Sequence, residues 1–190
     1  LCDVLSGKVN PSGRLPVTFG KEQADYPCFQ YGKEGYPGVN KQVYYKEGIY
    51  VGYRWFDTKK VVPSFPFGYG LSYTTFDYSD LTLSAAEMSV NGAIEASVTI
   101  TNTGNYDADE VVQMYIRDMV GSVVRPVKEL KGFQRISLKK GESKKVTFTI
   151  DAELLKFYNA KLDFVCEPGE FEVMVGPNSR DVKVKKFFLK

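Results

Sequence analysis

Residues 94–102 read IEASVTITN, with Ile94, Ala96, Val98 and Ile100 alternating against Glu95, Ser97, Thr99 and Thr101. In an extended chain successive side chains point to opposite faces, so a strict period of two marks a strand with one face buried. The alternation returns three times downstream. VVQMYIRD at 111–118 carries Val112, Met114 and Ile116, KVTFTID at 145–151 carries Val146, Phe148 and Ile150, and FEVMVG at 171–176 carries Phe171, Val173 and Val175. Turn residues punctuate the gaps in TNTGN (101–105), LKKGES (138–143), CEPGE (166–170) and VGPNS (175–179). Short half-buried strands at this spacing predict a mainly β chain whose body is an immunoglobulin-like antiparallel β-sandwich.

Upstream of Phe76 the pattern stops. FPFGYGLSYTTFDYSDL (65–81) sets rings at nearly every second position, then breaks them with Gly68 and Gly70. That suits neither an amphipathic helix nor a strand. With Pro63 and Pro66 it predicts an irregular strap, its rings burying apolar area while the Tyr hydroxyls find partners. From Gly20 onward no period is sustained, and so long a structureless stretch is expected to be a functional loop or an interdomain connection. Within it GIYVGYRWFD (48–57) reads as one short aromatic strand. At the front, LCDVLSG (1–7) reads as a helix end stopped by Gly7. NPSGRLPVTF (10–19) reads as a turn followed by a short strand from Leu15 to Phe19. Opening at Leu1 without an initiator Met, in what reads as mid-helix, the chain is expected to be a piece of a longer protein.

Composition excludes several chemistries. The 190 residues contain no His, which removes Ser-His-Asp and Cys-His nucleophilic systems and every His-bearing metal site. Cys2, Cys28 and Cys166 lie far apart and form no CxxC pair, which argues against zinc. A formal net charge of +2 leaves no footprint for nucleic acid. The basic run Lys139, Lys140, Lys144 and Lys145 flanks a turn and reads as a solvated edge. No apolar run reaches membrane-spanning length, so no membrane partner is expected. Gly68 and Gly70 form a GxG without a third glycine, and no phosphate loop or other cofactor signature is present.

Candidate site residues are few. Asp107, Asp109 and Glu110 in NYDADEVV lack calcium-loop spacing, so no metal is expected there. Glu47, Asp57, Glu129, Glu167 and Glu170 read as surface charges or ion pairs, since acid–base pairing is a spatial fact. Tyr53, Arg54 and Trp55, with Tyr50 and Phe56, are the candidate substrate-binding set, because exposed rings stack on sugar faces. An aromatic plug between domains is the reading these residues favour.

Six ordered blocks carry a resemblance: DVLSGKVNPSGRLPVTF (3–19), YKEGIYVGYRWFD (45–57), FPFGYGLSYTTFDYSDL (65–81), VTITNTGNYDADEVVQMYI (98–116), RPVKELKGFQRISLKKGES (125–143) and CEPGEFEVMVGPNS (166–179). Together they resemble the C-terminal part of glycoside hydrolase family 3, the β-glucosidase and β-xylosidase group, across essentially the whole chain. The resemblance implies three parts. Residues 1–19 would end an α/β sandwich domain, 20–75 would be an aromatic interdomain connector, and 76–190 would be a fibronectin type III-like β-sandwich.

It also implies retaining hydrolysis of β-glycosides by two carboxylates. The family's nucleophile is a barrel Asp, typically within Ser-Asp-Trp. The acid/base of the β-glucosidase subgroup lies upstream of the NPSGRLP block. Neither falls in this chain, whose sole Trp, Trp55, follows Arg54. No catalytic residue carries over, and the piece is expected to be inert. The implied partners are upstream barrel and α/β domains, with a β-linked oligosaccharide or glycoside as the parent's substrate. A periplasmic or secreted location is favoured over a cytoplasmic one. Without those domains, Leu15, Val17, Phe19, Tyr50, Tyr53, Trp55, Phe65 and Phe67 are expected to form an exposed apolar patch that drives self-association. The alternative is an autonomous β-sandwich that binds carbohydrate or protein through its Tyr-rich surface.

Overall fold

The structure, a computed structural model, describes residues 1–190. Its body contains eleven strands: β1 (Phe76–Tyr78), β2 (Thr82–Leu83), β3 (Glu87–Met88), β4 (Ala93–Asn102), β5 (Ala108–Asp118), β6 (Glu129–Leu138), β7 (Ser143–Asp151), β8 (Phe157–Tyr158), β9 (Phe164–Val165), β10 (Gly169–Gly176) and β11 (Lys183–Leu189). One sheet centres on β4, which pairs with β7, β1 and β2. The second runs β3-β11-β10-β5-β6, and β8 and β9 form a separate hairpin. Every pairing in the two main sheets is antiparallel except β3 with β11.

Register explains the alternation. Ile94 lies opposite Ile150, Ala96 opposite Phe148 and Val98 opposite Val146. In the other sheet Val173 faces Ile116 and Val175 faces Met114. All ten are buried in one cluster between the sheets, joined by Ile136, Leu138, Phe187 and Leu189. Full burial of each such side chain stabilises by about 1.5–3 kcal/mol, so this cluster is the main source of the sandwich's stability.

The second face of β5 departs from simple alternation. Gln113 and Tyr115 belong to the solvent side by period, yet they are 3% and 0% exposed. The reason is the upstream chain, which is laid over that face. A bulge between Met114 and Tyr115 shifts the register against β6 there.

Upstream, α1 (Cys2–Leu5) ends at Gly7, whose φ of +77 is the left-handed helix stop the sequence predicts. Two short helices follow, α2 (Pro27–Gln30) and α3 (Gly32–Gly35). The strand expected in GIYVGYRWFD is instead a helix, α4 (Tyr53–Thr58). Its turn sets Tyr53, Phe56 and Asp57 on one side, at spacings of three and four, toward the sandwich. A strand would have split them between two faces. The strand expected from Leu15 to Phe19 is reduced to a single bridge, Phe19 to Phe65. Pro16 has no N–H to donate, and the facing strap bends at Pro66 and Gly68.

Candidate functional site

The functional geometry of this chain lies where the upstream segments meet the sandwich. The strap and residues 10–19 pair irregularly. The Leu15 N–H donates to the Tyr69 carbonyl at 2.8 Å, the Gly68 N–H to Leu15 at 2.8 Å and the Phe19 N–H to Phe65 at 2.9 Å. The sandwich then grips the strap. Gln113 Nε2 donates to the carbonyls of Gly68 (3.1 Å) and Pro177 (2.6 Å), and the Ser179 N–H donates to Phe67 at 2.9 Å. This close approach explains the glycines. A Cβ at Gly68 would overlap the Gln113 amide, and one at Gly70 would overlap Arg14 and the Gly13 carbonyl.

A buried polar cluster pins residues 10–19 to β5. Arg14 Nη2 donates to Glu110 Oε2 at 2.5 Å, and the Tyr78 hydroxyl donates to Glu110 Oε1 at 2.8 Å. Glu110 is 2% exposed. Burial pushes its carboxyl above the usual glutamate range, while Arg14 and the Tyr78 hydrogen bond pull it back. Burial beside this carboxylate also raises the Tyr78 phenol. Asn10 adds a clasp: its amide donates to the Asp107 carbonyl at 3.2 Å, and its Oδ1 accepts from the Tyr73 N–H at 2.9 Å.

Tyr53, Arg54 and Trp55 each make contacts within the chain. The Tyr53 ring packs on Phe67 and Tyr115 at centroid distances of 4.8 and 5.9 Å, and its hydroxyl accepts from the Leu130 N–H at 3.0 Å. Arg54 meets Glu129 at 3.5 Å. Trp55 is buried, and its indole N–H donates to the Asp25 carbonyl at 2.9 Å. Tyr53 and Arg54 therefore hold the connector on the sandwich, while Trp55 ties α4 to the earlier part of the connector. Asp57 completes the weld, with Arg180 Nε at 3.1 Å and Lys128 Nζ at 3.5 Å. Its carboxyl is raised by burial against those two cations.

The other carboxylates are dispersed. Glu129 pairs with Arg125 at 2.5 Å, Glu167 accepts from Ser122, and Glu170 meets Lys186 at 2.5 Å. Asp109 is held below the usual range by Ser137 and Arg135. Asp107 accepts from the Lys140 N–H, so the three NYDADEVV carboxylates share no partner. Sequence reasoning missed Arg14, Gln113 and Tyr78, and took Glu110 only as one of the acidic residues of NYDADEVV. The one available signal was that Glu110 is in period with the inward Val112, Met114 and Ile116 of β5.

One groove beside these contacts is apolar. A groove of about 600 Å³ runs between Pro11, Leu15, Phe19, Phe65, Tyr69 and Leu71. Phe19, Phe65 and Leu71 are 45%, 44% and 65% exposed. The exposed patch expected from the sequence is therefore smaller than anticipated, because Trp55 is buried and Tyr53 and Phe67 pack on each other within the chain.

Comparison with known proteins bears on this arrangement. Residues 1–53 match the glycosyl hydrolase family 3 C-terminal domain, and residues 110–179 match the fibronectin type III-like domain. A β-glucosidase of Bacteroides ovatus is 48% identical over 96% of this chain and 25% of its own length. The thermostable β-glucosidase B of Acetivibrio thermocellus is 46% identical over 98% of this chain and 24% of its own length. The chain thus spans about a quarter of the curated relatives it matches. The crystal structure of a Bifidobacterium adolescentis family 3 β-glucosidase superposes with a TM-score of 0.87 at 39% identity, over 100% of this chain and 27% of that one. These two domain matches, with relatives and a solved structure similar over nearly the whole chain, place it in glycoside hydrolase family 3, as a C-terminal part.

Proposed function

We propose that this chain is the non-catalytic C-terminal part of a retaining β-glycosidase of β-glucosidase type. Its role is to hold that enzyme's other domains in place. Residues 1–19 are the edge of an α/β domain, 20–75 the connector, and 76–190 the sandwich. The observation that carries this reading is the pair of welds to the sandwich, Arg14–Glu110 at the start of β5 and Asp57–Arg180 at the end of α4. They fix the connector on one side and leave the Leu15–Phe19–Phe65–Leu71 groove facing out for a neighbouring domain. Retaining hydrolysis needs two carboxylates about 5–5.5 Å apart across a sugar. Glu110, Asp57, Glu129 and Glu170 are each matched to cations instead. The substrate of the whole enzyme would be a β-linked glycoside or oligosaccharide. One relative, from Salmonella typhimurium, is a periplasmic β-glucosidase, which supports a periplasmic or secreted setting here.

The test is hydrolysis of nitrophenyl β-glucoside and β-xyloside by the purified chain. No turnover above buffer is expected. Turnover that survives repurification and is lost in a variant of one of these carboxylates would overturn the reading.

A further inference from the structure

A second groove, beside the end of α4, has the opposite character. Its volume is about 380 Å³, and Lys60, Arg117, Lys128 and Arg180 line it against a single carboxylate, Asp57. Asp57 is already committed to Arg180 and Lys128. Those two cations are further occupied: Arg180 Nη2 donates to the Phe56 and Val61 carbonyls, and Lys128 Nζ donates to Ser179. Lys60 and Arg117 supply the surplus. Arg117 has one loose contact, Glu172 at 3.5 Å, and Lys60 has no ion pair and no side-chain hydrogen bond.

The backbone at Lys60 is a separate observation. α4 closes with the Val61 N–H donating to the Phe56 carbonyl at 2.9 Å, and Lys60 occupies the intervening left-handed position at φ +57. Glycine is the usual residue there, because a Cβ is disfavoured in that region. A lysine is thus held in a costly conformation, with its charge beside a groove and nothing within the chain to match it. Residues in such conformations concentrate at binding sites.

We propose that this groove binds an oxyanion carried on a small ring, namely the carboxylate or sulfate of an acidic sugar. Lys60 and Arg117 hold the anion. The floor, with Met174 and Val184 side by side in register, takes the C–H face of the ring. Arg117 offers a planar fork suited to two oxygens, and Lys60 offers a point charge. The site is independent of the glycosidase reading, since it involves neither hydrolysis nor the apolar groove.

The test is calorimetric or NMR titration of the 190-residue chain at low salt with glucuronate, glucose and inorganic sulfate. Glucuronate should saturate with a Kd on the order of millimolar, as befits two partly exposed charge contacts, while glucose should not bind. Lys60→Gly should weaken glucuronate at least tenfold and raise Tm, because it removes the charge and relieves the backbone together. Arg117→Gln should weaken binding comparably without that gain in Tm. Saturation by sulfate at equal or greater affinity would overturn the sugar assignment in favour of a free inorganic anion. Absence of saturation by either anion, or unchanged affinity in both variants, would overturn the site.

Discussion

Arg14 and Glu110, 96 residues apart in sequence, meet at 2.5 Å in a place where Glu110 is almost completely shut off from water. That contact fastens the segment ahead of the connector to the start of β5 in the five-stranded sheet. Buried pairs of this kind contribute little net stability over an apolar pair, but breaking one side leaves a charge without compensation. Arg14→Met is therefore expected to destabilise by about 3–5 kcal/mol, and the double variant Arg14→Met with Glu110→Leu by much less. Urea unfolding of the set measures both. A double variant as damaged as the single one would show that the contact is needed for geometry rather than for charge.

The same pair predicts a pH dependence. Burial holds the Glu110 carboxyl above the ordinary glutamate value, so the folded chain keeps a proton that the unfolded chain has released. The linked stability is present below the unfolded pKa and is lost as pH rises through the folded one. Arg14 is the main charge opposing the shift, so Arg14→Met should widen that window upward and steepen the loss toward neutral pH. Denaturation midpoints from about pH 4 to 8 check the sign. A variant that gains stability as pH rises through this window would contradict it.

Gly68 combines a φ of +82 with contact to the Gln113 amide. Gly68→Ala should cost about 1–3 kcal/mol, from the disfavoured backbone and the displaced hydrogen bonds. Gly13→Ala, which has open space around it, should cost at most about 1 kcal/mol. Equal effects in thermal unfolding would remove the close-approach explanation of the FPFGYG block.

These residues also mark how far the sequence could be read. The period-two runs located β4, β5, β7 and β10 and their inward residues, because one face of each strand meets the opposing sheet. Periodicity is silent about what covers the other face, so the burial of Gln113 and Tyr115 by the strap could not be seen, nor that Arg14 and Tyr78 would meet the carboxylate of Glu110 on the inward face. Alternating rings in GIYVGYRWFD mimic a strand. The helix wins because it turns Tyr53, Phe56 and Asp57 together onto β5, Arg180 and Lys128, a tertiary preference that no local propensity encodes. Tyr53, Arg54 and Trp55 stood out as rings flanking a charge, but the partners they find lie in this same chain, at distances in sequence that no local pattern reveals.

The apolar groove predicts association. With Phe19, Phe65 and Leu71 open to solvent, the 190-residue chain should self-associate with rising concentration. Leu71→Asp together with Phe65→Ser should keep it monomeric. Sedimentation velocity decides this, and a wild-type chain that stays monomeric at several hundred micromolar would rule out the groove as an adhesive face.

The central claim is that residues 10–19 and the strap fold as one unit with the sandwich, presenting a ready-made face to a neighbouring domain. Native-state hydrogen exchange of the Leu15, Gly68 and Ser179 amides tests it most directly, against Val98 and Val173 in the core. The three should exchange with opening free energies close to those of the core amides, and Arg14→Met should lower Leu15 and Gly68 selectively. Exchange of Leu15 and Gly68 near unprotected rates, beside a fully protected core, would mean that the strap is ordered only by its neighbours and would contradict the account.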